Sequence, residues 1–125
     1  MAQTNQDDTF YAGNTRVLQF AITDAEVDPP IPLDLTGCTV QWALSAMLID
    51  GSYDTVAILK KDSAGTDVII DGDPSTGIVR VRIRPADTAE LAGRYYHELE
   101  VIDVAGNPVV VATGYLTINP NVVNA

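Results

Sequence analysis

The sequence has 125 residues, of which 46% are hydrophobic, and 17 acidic against 7 basic side chains leave a formal net charge of −10. This length fits one domain of ordinary size, so we predict a single domain over residues 1–125. The acidic balance argues against binding to nucleic acid or to an anionic membrane surface. No apolar run reaches the roughly 18 residues that a membrane-spanning helix needs.

The cysteine content and the N-terminal residues exclude two further classes of protein. A single cysteine rules out a disulfide within the chain, and no Cys/His group has the spacing of a zinc site. The first residues, MAQTNQDD, have neither the basic nor the apolar region of a secretory signal. We therefore expect synthesis in the cytoplasm without a signal peptide, and no motif implies a cofactor.

Short β-branched or aromatic runs, separated by Gly, Pro, Asp and Asn, predict an all-β protein. In the first run Leu18, Phe20 and Ile22 share a face, and a stretch with three prolines that cannot lie in a central strand follows it. The second run alternates cleanly around Val40 and Trp42. In chain order the predicted strands cover residues 16–22, 38–44, 55–61, 68–70, 78–84, 95–102 and 109–118.

The later runs indicate how these strands are connected and packed. Residues 85–91 predict one helical turn that begins at a proline, and residues 104–107 predict the turn of a hairpin between the last two strands. Strands that are apolar on one face, together with the large side chain of Trp42, require a second sheet to cover them. The predicted fold is an antiparallel β-sandwich of about seven strands.

Few residues have the chemistry of an active site. The only histidine, His97, shares its strand face with apolar residues, which is more typical of a hydrogen-bonded core side chain than of a catalytic base. Cys38 lies on the face of Trp42, where a small thiol is ordinary packing. Asp67, Asp71 and Asp73 could bind calcium, but their spacing differs from the EF-hand pattern and is equally typical of turns. We predict neither catalysis nor a metal site.

A ladder of three arginines is the least ordinary feature of the sequence. Arg80, Arg82 and Arg84 alternate with apolar residues along one strand of an otherwise acidic chain. They could pair with Glu98 and Glu100 if the two strands are neighbours, but a sandwich crossover would place those strands in different sheets. Alternatively, the ladder meets an acidic surface of another subunit, because arginine is enriched in interfaces. In that hypothesis Tyr96 is the interface aromatic beside it.

Four segments follow one pattern, in order and spacing, over nearly the whole chain. They are DTFYAGNT at 8–15, LDLTGCTVQW at 33–42, RPADTA at 84–89 and GRYYHEL at 93–99. Together they resemble the immunoglobulin-like domain of tailed-phage structural proteins, including the N-terminal domain of phage baseplate upper proteins. In immunoglobulin-like sandwiches a tyrosine that follows a corner of this kind caps the turn into the second sheet. Tyr95 and Tyr96 follow such a corner here.

The resemblance implies a non-catalytic virion protein that docks by protein–protein contacts on the tail, baseplate or head surface. Its expected partners are other virion structural proteins, and a homo-oligomer is compatible with such a role. The arginine ladder with Tyr96 is one candidate contact face. The N-terminal segment is a second one, which would add a strand to a neighbouring sheet edge; its residues are Asp7, Asp8, Thr9, Phe10 and Tyr11.

An alternative function is that of a carbohydrate- or host-surface-binding module. Small sandwiches can bind glycans through exposed aromatic side chains, and a row formed by Tyr11, Tyr53 and Tyr115 would favour this hypothesis. An enzyme is the third and weakest possibility, because no recognisable constellation of catalytic residues is present.

Overall fold

The computed structural model describes residues 6–24 and 29–122. Within these residues the chain forms ten strands, one short helix, α1 (Pro85–Thr88), and a 3-10 turn at Pro74–Thr76. The strands are β1 (Asp8–Tyr11), β2 (Arg16–Ala21), β3 (Thr23–Asp24), β4 (Ile31–Pro32), β5 (Thr39–Met47), β6 (Tyr53–Asp62), β7 (Val68–Ile70), β8 (Ile78–Ile83), β9 (Gly93–Ile102) and β10 (Pro108–Asn119).

The strands form an immunoglobulin-like β-sandwich, as the sequence predicts. One sheet has the order β1-β10-β9-β5-β6 and the other the order β2-β8-β7. With β2, β5, β7, β8, β9 and β10 as strands B, C, D, E, F and G, these sheets are the BED and GFC sheets of immunoglobulin domains, with β6 added beside strand C. All strand pairs are antiparallel except β1 and β10, which are parallel.

All seven predicted strands are present, and three further strands were not predicted. β1 contains part of the N-terminal segment, and it pairs with β10 of its own sheet. β3 and β4 form a two-residue ladder, in which Thr23 pairs with Pro32. This ladder is short because the proline-rich stretch supplies few backbone N–H donors.

The core lies between the two sheets and comes from the alternating apolar positions. Trp42 and Leu99 project from the five-stranded sheet, and Phe20, Val79 and Val81 project from the three-stranded sheet; each is at most 2% exposed. Burying one such large side chain contributes about 1.5–3 kcal/mol relative to leaving it in water. The corner before β9 is closed by Tyr95, whose hydroxyl donates to the Ala92 carbonyl at 3.1 Å.

The described residues include no helix that is both long and apolar enough to cross a membrane.

Candidate functional site

Three tyrosines from three strands meet on the outer face of the five-stranded sheet. The ring of Tyr53 on β6 stacks on that of Tyr96 on β9, with centroids 3.8 Å apart and planes at 8°. Tyr115 on β10 meets Tyr96 edge-on, with centroids 6.1 Å apart. Strand β5 runs between β6 and β9, and its residue opposite Tyr96 is Ser45. A small side chain at that position lets the two stacked rings meet above β5.

Polar groups fix the tyrosine cluster at both ends. The Arg94 guanidinium lies 4.0 Å from the centroid of the Tyr115 ring, which is a cation–π contact. The Tyr96 hydroxyl donates to Glu98 Oε2 at 2.9 Å. Burial first, and then the hydrogen bond to the Glu98 carboxylate, raises the pKa of Tyr96 well above its ordinary value. Tyr96 is therefore a neutral hydrogen-bond donor and not a base.

A shallow trough runs along β5 beside the cluster. A cavity of about 250 Å³ lies next to the stacked rings, and another of about 290 Å³ continues along the strand; both are lined by Ala43 and Glu98. The charged side chains along the trough are mainly acidic, with Lys60 as an exposed basic group. The carboxylates belong to Asp54, Asp62, Glu98 and Glu100.

The arginine ladder does not form one face with Tyr96, so this prediction was wrong. Val79 and Val81 of β8 point into the core, and the arginines therefore lie on the outer face of the three-stranded sheet, on the opposite side of the sandwich from Tyr96. Arg80 donates to Gln19 and to Asp71, both at 3.2 Å. Arg84 bonds to both carboxylate oxygens of Asp67, at 2.9 and 3.0 Å.

The neighbours of the ladder also settle how these arginines are paired. β8 lies between β2 and β7, so Glu98 and Glu100 of β9 are not across from it. Arg82 is exposed. The two acid-paired members of the ladder thus serve the sandwich itself, by joining β8 to the residues before and after β7.

The N-terminal segment forms an edge strand of its own sheet through β1, and its contact with a neighbouring sheet stays a prediction. Asp8 pairs with Arg16 at 2.7 Å, and Phe10 is buried in the core. Asp7 Oδ1 accepts the Tyr115 N–H at 2.8 Å. Asp7, Thr9 and Tyr11 of the segment are exposed, whereas Phe10 is buried and Asp8 is half-buried.

His97 and Cys38, the two side chains considered as possible reactive groups, have structural surroundings instead. His97 is 1% exposed; its Nδ1 accepts the Trp42 indole N–H at 3.1 Å, and its Nε2 lies 2.6 Å from the Gln6 carbonyl. Burial lowers the pKa of His97, which keeps the ring neutral. Burial, followed by the charges of Asp103 and Asp34, raises the pKa of Cys38 and so disfavours a reactive thiolate.

The three aspartates considered for calcium have structural partners instead. Asp67 binds Lys61 and Arg84, and Asp71 binds Arg80. Asp73 Oδ1 accepts the Ser75 N–H, which caps the 3-10 turn. In the part of the chain that the structure describes, no group of three or more His, Cys, Asp or Glu is arranged to hold a metal ion.

The tyrosine cluster was not predicted from the sequence. The row of Tyr11, Tyr53 and Tyr115 named for the glycan hypothesis is not formed, because Tyr11 lies opposite Asn119, four residues further along β10 than Tyr115. Tyr96, and not Tyr11, packs against the rings of Tyr53 and Tyr115. The alternation of β9, which puts Tyr96, Glu98 and Glu100 on one face, was the available signal for part of the site.

No protein-family model and no curated protein sequence matches the chain. Among solved structures, the crystal structure of CopC from Methylosinus trichosporium OB3b is similar at a TM-score of 0.40 and 14% identity, over 92% of this chain and 85% of that chain. These comparisons correct the function expected from the sequence. No family model and no curated sequence supports a phage component. The role in a tailed-phage particle is therefore withdrawn.

Proposed function

We propose that this chain is a non-catalytic binding domain that recognises another protein through the outer face of its five-stranded sheet. The observation that carries this proposal is the cluster of Tyr53, Tyr96, Tyr115 and Arg94 on that face. The three-stranded sheet packs on the inner face, and within residues 6–24 and 29–122 no third layer lies on the outer one.

The tyrosines and the arginine on this face belong to the residue types that support the proposed interface. Tyrosine and arginine are enriched in interfaces and in the few positions that dominate binding energy. A tyrosine contributes a large contact area at a low cost in conformational entropy, since it has only two side-chain torsions. Here stacking on Tyr96 already fixes the ring of Tyr53, and Tyr53 is still 43% exposed.

The hairpin next to the cluster extends the apolar part of this surface. Leu48 and Ile49 in the β5–β6 turn, which leads into the strand of Tyr53, are 46% and 108% exposed. Neighbouring exposed apolar side chains of this kind mark interaction sites on soluble proteins. The β6 end of the sheet is therefore the centre of the proposed interface, with Tyr53 between the hairpin and the cluster.

Site-specific photocrosslinking tests this proposal. A benzophenone amino acid replaces Tyr53 in one variant and Tyr11 in a control variant; Tyr11 is 54% exposed and lies near the other edge of the same sheet. Each purified variant is irradiated in an extract of the source cells, and the adducts are identified by mass spectrometry. We expect a discrete protein adduct from position 53 that is absent from position 11.

Competition separates a specific adduct from chance capture. Excess unlabelled wild-type chain should suppress the adduct, whereas the unlabelled double variant Tyr53→Ala, Arg94→Ala should not. Circular dichroism checks that this variant is folded. Equal adducts from both positions, or equal competition by both chains, would overturn the proposal, as would the absence of any adduct at position 53.

A further inference from the structure

We infer that the partner inserts an arginine at the Tyr53 end of the trough, where the guanidinium stacks on the open face of Tyr53 and is attracted by the carboxylates of the trough, above all that of Glu98. This inference rests on the proposed function and specifies the chemistry of the partner at the same site.

The charge of the surface requires a basic partner. The trough is lined by four carboxylates, those of Asp54, Asp62, Glu98 and Glu100. Lys61 also reaches this region, but its ammonium is paired with Asp67 and Asp87, which leaves Lys60 as the exposed amine along the trough. The whole chain carries a formal charge of −10. A second copy of the chain would therefore be repelled, whereas a basic segment would be attracted.

The stacked tyrosines offer one aromatic face to a ligand. Tyr96 covers one side of the Tyr53 ring at 3.8 Å, and 43% of Tyr53 is still exposed. A cation placed over a tyrosine ring is attracted by the negative potential of its face. The same sheet face already contains one such pair, because Arg94 stacks on Tyr115 at 4.0 Å.

Glu98 supplies the counter-charge beside the stacked rings. The hydrogen bond from Tyr96 holds its Oε2, and Glu98 lines the same cavity as Tyr53. An ionised carboxylate can accept about four hydrogen bonds, so the Tyr96 hydroxyl leaves capacity for further donors. A guanidinium combines a flat stacking surface with several N–H donors, whereas an ammonium is a compact point charge. The pairing of an aromatic face with a carboxylate thus favours arginine over lysine.

Titration followed by NMR tests the inference with defined probes. The ¹⁵N-labelled chain is titrated with an acetylated, amidated Gly-Ser-Arg-Ser-Gly peptide and with the same peptide carrying citrulline, which has nearly the shape of arginine but no charge. We expect shifts at Tyr53, Ser45 and Glu98 with the arginine peptide and none with the citrulline peptide. A lysine peptide should bind more weakly, because an ammonium is a compact point charge that cannot lie flat on the ring while it donates several hydrogen bonds.

Two charge-matched variants locate the binding site. Glu98→Gln should weaken the arginine peptide about two- to fivefold, the range expected for one exposed ion pair. Glu90→Gln removes the same charge from an exposed position next to α1 and should leave the affinity unchanged. Equal effects of the two variants, shifts spread over the whole acidic surface, or equal binding of the citrulline peptide would overturn the inference. If the photocrosslink at position 53 forms while the arginine peptide fails, only this inference falls; if neither occurs, the proposed function falls too.

Discussion

The indole N–H of Trp42 donates to Nδ1 of His97 across 3.1 Å at the centre of the sandwich. Because Nδ1 accepts, the ring proton is on Nε2, which faces the Gln6 carbonyl at 2.6 Å. His97 follows the corner residue Tyr95 by two positions, where antibody domains have the second cysteine of their inter-sheet disulfide. Phe20 on β2 packs against its ring, with centroids 5.8 Å apart. The side chains of Trp42, His97 and Phe20 thus occupy the place that the inter-sheet disulfide has in antibody domains.

This arrangement predicts a loss of stability in mild acid. A protonated His97 could no longer accept the Trp42 N–H, and burial lowers the pKa of His97 below its unfolded value of about 6.5. Between these two pKa values the unfolded chain binds more protons, so the free energy of unfolding falls as the pH drops below about 6.5. Each unit by which folding lowers this pKa reduces the free energy of unfolding in acid by up to about 1.4 kcal/mol.

Urea unfolding followed by the fluorescence of Trp42 checks this prediction. The midpoint should be lower at about pH 5 than at about pH 7.5, a window that lies above the ordinary pKa values of carboxylates. His97→Gln is less stable at both values but should lose much of the difference between them, because glutamine does not titrate. Identical wild-type midpoints at the two pH values would contradict the assignment of a neutral, buried His97.

A second prediction concerns Gly114, which makes room for the N-terminal segment. A Cβ at this position would collide with the backbone of Gln6, whose N–H donates to the Thr113 carbonyl at 3.1 Å. Gly114→Ala should therefore displace Gln6 and weaken its contact with His97, with a loss of about 1–3 kcal/mol, typical of overpacking. Gly72→Ala is the matched control, since a Cβ there meets nothing within 4 Å.

Limited proteolysis and urea unfolding distinguish the two glycine variants. Gly114→Ala should be cleaved faster near the N-terminus and unfold at a lower urea concentration than the wild type. Gly72→Ala should match the wild type or be slightly more stable, because alanine reduces the entropy of the unfolded chain. Wild-type behaviour of Gly114→Ala would show that Gln6 does not cross β10 at this point.

A third prediction tests the corner at Tyr95. Its hydroxyl donates to the Ala92 carbonyl at 3.1 Å and accepts the Ala92 N–H at 3.2 Å. Tyr95→Phe removes both bonds while keeping the ring, so we expect a loss of about 0.5–1.5 kcal/mol per bond in denaturant unfolding. Tyr11→Phe, at a side chain that is 54% exposed, should cost little. Equal stabilities of the two variants would mean that the corner bonds contribute nothing.

The sequence was sufficient to predict seven of the ten described strands and the core, because both depend on local alternation. The pattern of Val79, Val81 and Ile83 placed these residues inside and the arginines outside, and the structure confirms this. The tyrosine cluster was not predictable in the same way, since it depends on which strands are neighbours. In addition, the pairing shifts register between Leu44 and Ser45, which breaks the alternation that would have placed Tyr53 on the outer face.

The last prediction concerns the ion-pair network around Asp67. Lys61 Nζ lies 2.7 Å from Asp67 and 2.8 Å from Asp87, and Arg84 binds Asp67 from the other side. Arg84 first, and then Lys61, lowers the pKa of Asp67 to about 2. A lowered folded-state pKa means that this stabilisation is present above the unfolded value of about 3.9 and is lost as the pH falls toward about 2.

Asp67→Asn should therefore be less stable than the wild type at neutral pH, and this difference should shrink between about pH 4 and about pH 2. Glu90→Gln removes the same charge from an exposed position outside the network and should show no such convergence. Urea midpoints of the three proteins across this range provide the measurement. A constant difference between wild type and Asp67→Asn would show that the charge of Asp67 does not stabilise the fold, because only a charge effect disappears when the carboxylate is protonated.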